Sequence, residues 1–230
     1  MAVAERHKVE NRELTPPYAR LTVRMIRPFP NFDFFFVKSL RRKAASLLQL
    51  KPGGRVLDVG CGPGGSFPYL VDAVGPQGQV VGVEISPETA INARKRIAKN
   101  AWNNVQVVVS AAEKASLEGQ FDGLLMFAAP DIYASPLALA SLYPHLSSGA
   151  RVVVFGGKLS RHRFREIPNL LFATVFSKLT FPSTPRMDYE PWALLKSRVH
   201  DLQVEEHFFG WMFLAWGSIE TSIGNDERTG

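Results

Sequence analysis

The stretch Val56-Leu57-Asp58-Val59-Gly60-Cys61-Gly62-Pro63-Gly64-Gly65 decides how this chain is read. A β-branched run ends in an acid, and a glycine-rich turn leads into a helix predicted from about Ser66 to Val74. Strand, tight loop and helix N-terminus aim backbone N–H groups at a negatively charged ligand group. Glycine suits such a loop because it accepts positive φ and lets a ligand approach bare backbone. Gly60, Gly62 and Gly65 also satisfy the spacing of a dinucleotide-binding turn. Asp58 argues against that ligand, because a carboxylate two residues ahead of the first glycine would repel a pyrophosphate.

Outward from this stretch the chain alternates strand and helix signals. Lys51-Pro52-Gly53-Gly54 turns the chain into the first strand, and Gly75-Pro76-Gln77-Gly78 turns it into a second, Gln79 to Ile85. Ser86-Pro87-Glu88 combines an N-cap hydroxyl, proline at the first helical position and an acid in the first turn, opening a helix to about Asn100. Strands follow at Val105 to Val109, Phe121 to Phe127 and Gly149 to Phe155, with a capped helix at Ser135-Pro136 between the last two. This alternation predicts a parallel sheet with helices on both faces. Upstream, Val37 to Leu50 reads as an amphipathic helix carrying Arg41, Arg42 and Lys43. Downstream, the pattern breaks at Gly156-Gly157; a helix near Trp192 to Val199 and strands at Leu202 to Phe209 and Met212 to Trp216 resume it.

Composition narrows the function. The chain has 230 residues, 46% of them hydrophobic, which is enough for one sizeable core. Its single cysteine, Cys61, excludes an internal disulfide and leaves no cysteine cluster for a metal, so a reducing cytoplasmic setting and no metal are expected. No apolar run follows Met1 as in a secretory leader, and none approaches a membrane span. The net charge of +6 is localised. Residues 1–51 hold 11 Lys/Arg against 4 Asp/Glu, residues 160–200 hold 7 against 3, and the remainder holds 9 against 14. The basic excess thus lies in two segments that flank the motif-bearing core.

Leu57-Asp58-Val59-Gly60-Cys61-Gly62-Pro63-Gly64 resembles motif I of the class I S-adenosylmethionine-dependent methyltransferases. That cofactor offers an ammonium and a sulfonium to carboxylates, and one carboxylate to a helix N-terminus. The resemblance covers residues 52–157 and, more loosely, 191–217. It implies an α/β, Rossmann-like, seven-stranded and mostly parallel sheet with helices on both faces and the last strand antiparallel. An N-terminal helical cap and an insertion after the fifth strand would be added to it. On this reading residues 1–230 form one domain: cap 1–50, cofactor-binding core 51–157, lid insertion 158–190, final helix and strands 191–217, and polar tail 218–230. The spacing and the Phe209-to-Gly217 ending are similar to the group holding ubiquinone/menaquinone C-methyltransferases and bacterial phosphatidylethanolamine N-methyltransferases.

The resemblance assigns candidate cofactor residues. Asp58 would face the methionyl ammonium, and Gly60 would approach it by its carbonyl. Gly62 and Gly64 would bring backbone close, with Cys61 as a small residue filling its slot. Glu84, ending the second strand, would accept hydrogen bonds from both ribose hydroxyls, with Ile85 against the adenine. The acid usual after the third strand is replaced by Ala111; the backbone of Ala112 would meet the adenine edge, and Glu113 is either a substitute acid or a surface acid. Tyr18 either closes over the cofactor carboxylate or packs on a helix, and Phe127 completes the cofactor set. Candidates for a base are Asp131, Tyr133 and His162, although His162 lies in Arg161-His162-Arg163, where flanking cations oppose its protonation.

Two aromatic and basic segments suggest the acceptor. Phe29, Phe32, Phe34, Phe35 and Phe36 precede the core, while Phe164, Phe172, Phe176, Phe181 and Trp192 follow the fifth strand. They would form an apolar lid over a hydrophobic small-molecule or lipid-like substrate. Their arginines would hold an anionic headgroup or touch a membrane surface peripherally, and exposed lid aromatics could serve a homodimer. Ala128-Ala129-Pro130-Asp131 lacks the polar residue, paired prolines and stacking aromatic of amino-methylating nucleic-acid enzymes, which weighs against a nucleic-acid partner. An RNA methyltransferase and a non-catalytic cofactor-binding module are the alternatives.

Overall fold

The computed structural model describes residues 35–158 and 190–219, with side chains described from residue 37 onward. Helix α1 (Phe35–Leu47) precedes β1 (Arg55–Val59), α2 (Phe67–Val74), β2 (Gln79–Glu84), α3 (Pro87–Lys99) and β3 (Val105–Val109). Then come β4 (Phe121–Phe127), the short α4 (Pro130–Tyr133), α5 (Pro136–Leu142), β5 (Leu146–Gly157), β6 (Val199–His207) and β7 (Met212–Ile219). The strands form one sheet in the order β3-β2-β1-β4-β5-β7-β6. β1 to β5 run parallel, and β7 is antiparallel to both β5 and β6. This is the seven-stranded Rossmann-like architecture expected from the sequence.

Both faces of the sheet are covered. Val37, Leu40 and Ala44 make one stripe of α1 which, with Leu48 just after it, packs with Phe67, Leu70 and Val74 of α2 and Ala93 of α3 over Val56, Leu125, Val153 and Leu214. Opposite, Ala138, Leu139 and Leu142 of α5 join Tyr133, Trp192 and Leu195 over Leu57, Leu124, Val152 and Phe213. Central strands buried on both faces read as continuous apolar runs, as Val56, Leu57 and Val59 do. Strand order reverses between β1 and β4, so their carboxyl ends open a crevice at the edge where ligands bind in such sheets.

The caps act as their sequence predicts: Ser86 Oγ accepts from Thr89 N–H at 3.3 Å, and Ser135 Oγ from Ala138 N–H at 3.2 Å. Some boundaries differ. The helix expected near Trp192 to Val199 is a 3-10 turn over Ala193–Ser197, because β6 already begins at Val199, where it pairs with Ile219. β5 starts at Leu146 rather than Gly149, drawn into the sheet by pairing with Phe121. The strand expected to reach Phe209 ends at His207; Phe208 and Phe209 take φ of 48° and 63° in the hairpin turn instead. α4 was not anticipated. Tyr18, His162, the lid insertion and most of the N-terminal cap lie outside the described residues.

Candidate cofactor and acceptor site

Asp58 reaches the crevice from β1 and is 1% exposed, yet neither of its carboxylate oxygens accepts a hydrogen bond from the described residues. Such an orphaned pair of acceptors is costly in an apolar surround and marks a place where a cation belongs. Burial pushes the Asp58 carboxyl up from 3.8 to about 7, with Arg41 opposing and the Glu84 charge adding to the rise.

The glycine loop then turns under tight constraint. Gly60 and Cys61 both donate to the Val83 carbonyl, at 2.8 and 3.1 Å, which fixes the loop against β2. Gly60 has φ +73°, and a Cβ there would stand 2.7 Å from the Ala129 side chain. Gly62, at φ +56°, would meet nothing within 4 Å, so bare backbone fronts an open cradle at this point. Ser66, preceding α2, forms no side-chain cap, and its hydroxyl accepts from Arg41; the Phe67 and Tyr69 amides donate to the Gly64 and Ser66 carbonyls, and Pro68 has none to offer. Cys61 is buried over Gly82, and burial, reinforced by the Asp58 and Glu84 charges, pushes its thiol well above the ordinary range. Such a thiol is unsuited to attack as a thiolate.

Glu84 closes the other side of the cradle. Its two oxygens accept from Gly62 N–H at 3.0 Å and Ser86 N–H at 2.8 Å. This carboxylate therefore ties the glycine loop to the β2–α3 turn while retaining lone pairs for ribose hydroxyls. Burial raises its pKa, and the Ser86 and Gly62 amides oppose that rise. Half-buried Ile85 follows. The next wall continues directly, because Ser110 N–H donates to the Glu84 carbonyl at 3.1 Å and leads to half-buried Ala111 and buried Ala112. Glu113 is exposed and accepts from Ser135 Oγ at 3.4 Å, which turns it toward the start of α5.

The base candidates separate. Asp131 is exposed on α4; dense surroundings and then the Glu113 charge raise its pKa, but solvent access screens both effects, so its exposure carries more weight. Tyr133, expected beyond the strand ends, is instead 1% exposed in the core, edge-to-face with Phe213 at 5.9 Å. α4 turns its ring inward. Phe127 ends β4 with both ring faces covered, by Phe155 at 4.2 Å and by the Arg41 guanidinium at 4.2 Å, so it offers a ligand only its edge.

Arg41 escaped the sequence reading as a site residue. It donates from Nη1 to Ser66 Oγ at 2.9 Å, stacks on Phe127 and lies where a Cβ on Gly65 would stand 2.8 Å from its Cζ. A signal existed: Arg41 falls on the same stripe of α1 as Val37, Leu40 and Ala44, which should have been wholly apolar.

The comparisons agree with this geometry. Residues 56–149 match a family model described as a methyltransferase domain. An aklanonic acid methyltransferase from a Streptomyces species is 27% identical over 65% of this chain and 61% of its own length. A demethylmenaquinone methyltransferase from Symbiobacterium thermophilum is 29% identical over 54% of this chain and 50% of its own. A crystal structure of a SAM dependent methyltransferase from Aquifex aeolicus superposes with a TM-score of 0.57 at 21% identity, over 92% of this chain and 97% of that one. Residues 56–149 are thus similar to methyltransferase domains, and the solved structure shares the fold. This chain spans 31% to 61% of the length of such curated relatives.

Proposed function

We propose that this chain transfers a methyl group from S-adenosylmethionine to a hydrophobic small molecule or lipid-like acceptor. The observation that carries the reading is the buried, unpartnered carboxylate of Asp58 beside the glycine loop, with Glu84 across the cradle. When bound, the cofactor supplies an activated methyl on a sulfonium. The chain's own part is positional: Asp58 takes the ammonium, the glycine loop leading into α2 takes the carboxylate, and Glu84 takes the ribose. Ile85, Ala111 and Ala112 line the adenine, and the apolar floor of Phe127 and Phe155 keeps water away from the reacting centre.

The small-molecule reading draws on the relatives named for aklanonic acid and demethylmenaquinone. The domain plan stays as read from sequence: one domain, with residues 1–50 as cap and 158–190 as lid. Peripheral membrane contact and a homodimer through the lid belong to the same proposal. Among the described residues no helix is long and apolar enough to cross a membrane.

Incubation of a cell extract with the protein and S-adenosylmethionine, followed by mass spectrometry, tests the reading. Products heavier by one methylene should form with the wild type and not with Asp58→Ala or Glu84→Ala. Absence of any such small-molecule product, with methylated RNA in its place, would overturn it.

A further inference from the structure

Beyond the carboxyl ends of the strands stands another buried charge, one that cofactor binding does not use. Lys158 directly follows β5, two strands across from β1 and five residues past Val153, which lies level with Asp58 through Leu125. That places it roughly 10 Å across the sheet and roughly 15 Å along it from Asp58, outside the methionyl pocket and on the acceptor side. It is 5% exposed. Its backbone N–H donates to the Trp211 carbonyl at 2.9 Å, which fixes it against the β6–β7 hairpin. Its ammonium lies 5.4 Å from the centre of the Trp192 ring and has one hydrogen-bonding partner among the described residues, a carboxylate oxygen of Glu206. An ammonium carries three donors, so two of them find no acceptor there although the side chain is almost entirely out of water. Glu206, by contrast, is 45% exposed and can turn away to solvent.

Structural need alone accounts poorly for this arrangement. β5, β7 and β6 are already joined by long antiparallel ladders, and a buried ion pair contributes little where its desolvation is incompletely offset. Edge strand β6 also has a tie of another kind, because Lys43 of α1 holds Glu205 on the opposite face of the sheet, where both partners are well exposed. The strand-end edge is therefore polarised. Carboxylates at the ends of β1 and β2 await a cationic cofactor, and an under-partnered cation stands beyond β5.

Resting on the methyl-transfer reading above, we propose that Lys158 binds an anionic oxygen of the methyl acceptor, a phenolate or enolate on a flat apolar body, displacing Glu206 as its resting partner. The acceptor loses its acidic proton to water, and the ammonium stabilises the charge that remains. The acceptor's electron pair then forms the bond to the methyl carbon. The sulfur–methyl bond breaks with its pair left on sulfur, so anion and sulfonium are neutralised together. Apolar surface for the acceptor body is supplied at the hairpin to which Lys158 is bonded, where Phe208 and Phe209 are exposed.

Calorimetry in the presence of S-adenosylhomocysteine tests this with 1-hydroxy-2-naphthoate as anionic probe and methyl 2-naphthoate as its neutral counterpart. The wild type should bind the anion at least tenfold more tightly than the neutral probe. Lys158→Met should erase that preference and Lys158→Arg should restore most of it. Glu206→Gln should tighten the anion several-fold, because the competing carboxylate is gone; a purely structural pair predicts no such gain. All three variants should bind S-adenosylhomocysteine as the wild type does, which separates failure of this proposal from failure of the cofactor reading. Equal binding of the two probes by the wild type, or no tightening in Glu206→Gln, would overturn the assignment of Lys158.

Discussion

Replacing Asp58 by asparagine should stabilise the ligand-free protein while removing its ability to hold the cofactor. The Asp58 carboxyl titrates at about 7 in the fold against 3.8 for a free side chain. At about 1.4 kcal/mol per pH unit, keeping it ionised costs the fold on the order of 4 kcal/mol. The sign follows from proton binding. Between these two pH values the folded state holds a proton that the unfolded chain has lost, so wild-type stability falls as pH rises through this window and levels off above about 7. The amide of Asp58→Asn cannot ionise, so that decline should vanish in the variant. It remains a buried polar group without a partner, which offsets part of the gain, leaving roughly 2–3 kcal/mol at alkaline pH. In a chain of this length that is about 5–10 °C in Tm. Thermal unfolding of both proteins from pH 4.5 to 8.5 should show curves that converge toward acid and diverge as pH rises. Adding S-adenosylhomocysteine should raise the wild-type Tm and leave that of Asp58→Asn where it was. A gap that does not vary with pH, or a variant less stable than wild type at pH 8, would refute the orphaned-carboxylate reasoning.

Three further outcomes follow from the same contacts. Gly60→Ala drives a Cβ to 2.7 Å from Ala129 at φ +73°, so it should cost about 2–4 kcal/mol of stability and weaken cofactor binding, both measurable by denaturant titration and calorimetry. Glu84→Gln can accept from only one of the Gly62 and Ser86 amides and sets its own NH2 against the other, so stability should drop by about 1–3 kcal/mol and S-adenosylhomocysteine affinity at least tenfold. Arg41→Met removes the cation that holds the Asp58 pKa down, so the pH at which cofactor binding reaches half its maximum should move upward, as pH-dependent calorimetry would register.

Much of the fold was legible because its signals are local. Ser86-Pro87 and Ser135-Pro136 cap helices through their own hydroxyls, and the β-branched runs at Val56 and Val80 pair where their turns place them. What escaped depends on partners distant in sequence. Ala193–Ser197 has helical composition, but strand pairing of Val199 with Ile219 truncates it to a short 3-10 turn. Phe208 and Phe209 look like strand residues, and the hairpin geometry forces both into left-handed backbone. At the site, the resemblance of the glycine loop to motif I is what pointed to Asp58 and Glu84. That Glu84 ties the glycine loop, that Arg41 crosses Gly65 to reach Ser66, and that Lys158 is buried against Glu206 are contacts over 22, 25 and 48 residues. No local pattern encodes them. Tyr133 shows the converse: its place after β4 suggested the crevice, and one short helical turn moved its ring into the core.

The central claim is that the glycine loop, Asp58 and Glu84 form a site for a sulfonium cofactor. Titration of the wild-type protein with S-adenosylhomocysteine by calorimetry at pH 8 tests it most directly. One-to-one binding that is lost in Asp58→Ala is the predicted result; no heat of binding to the wild type, or binding unchanged by that substitution, would contradict it.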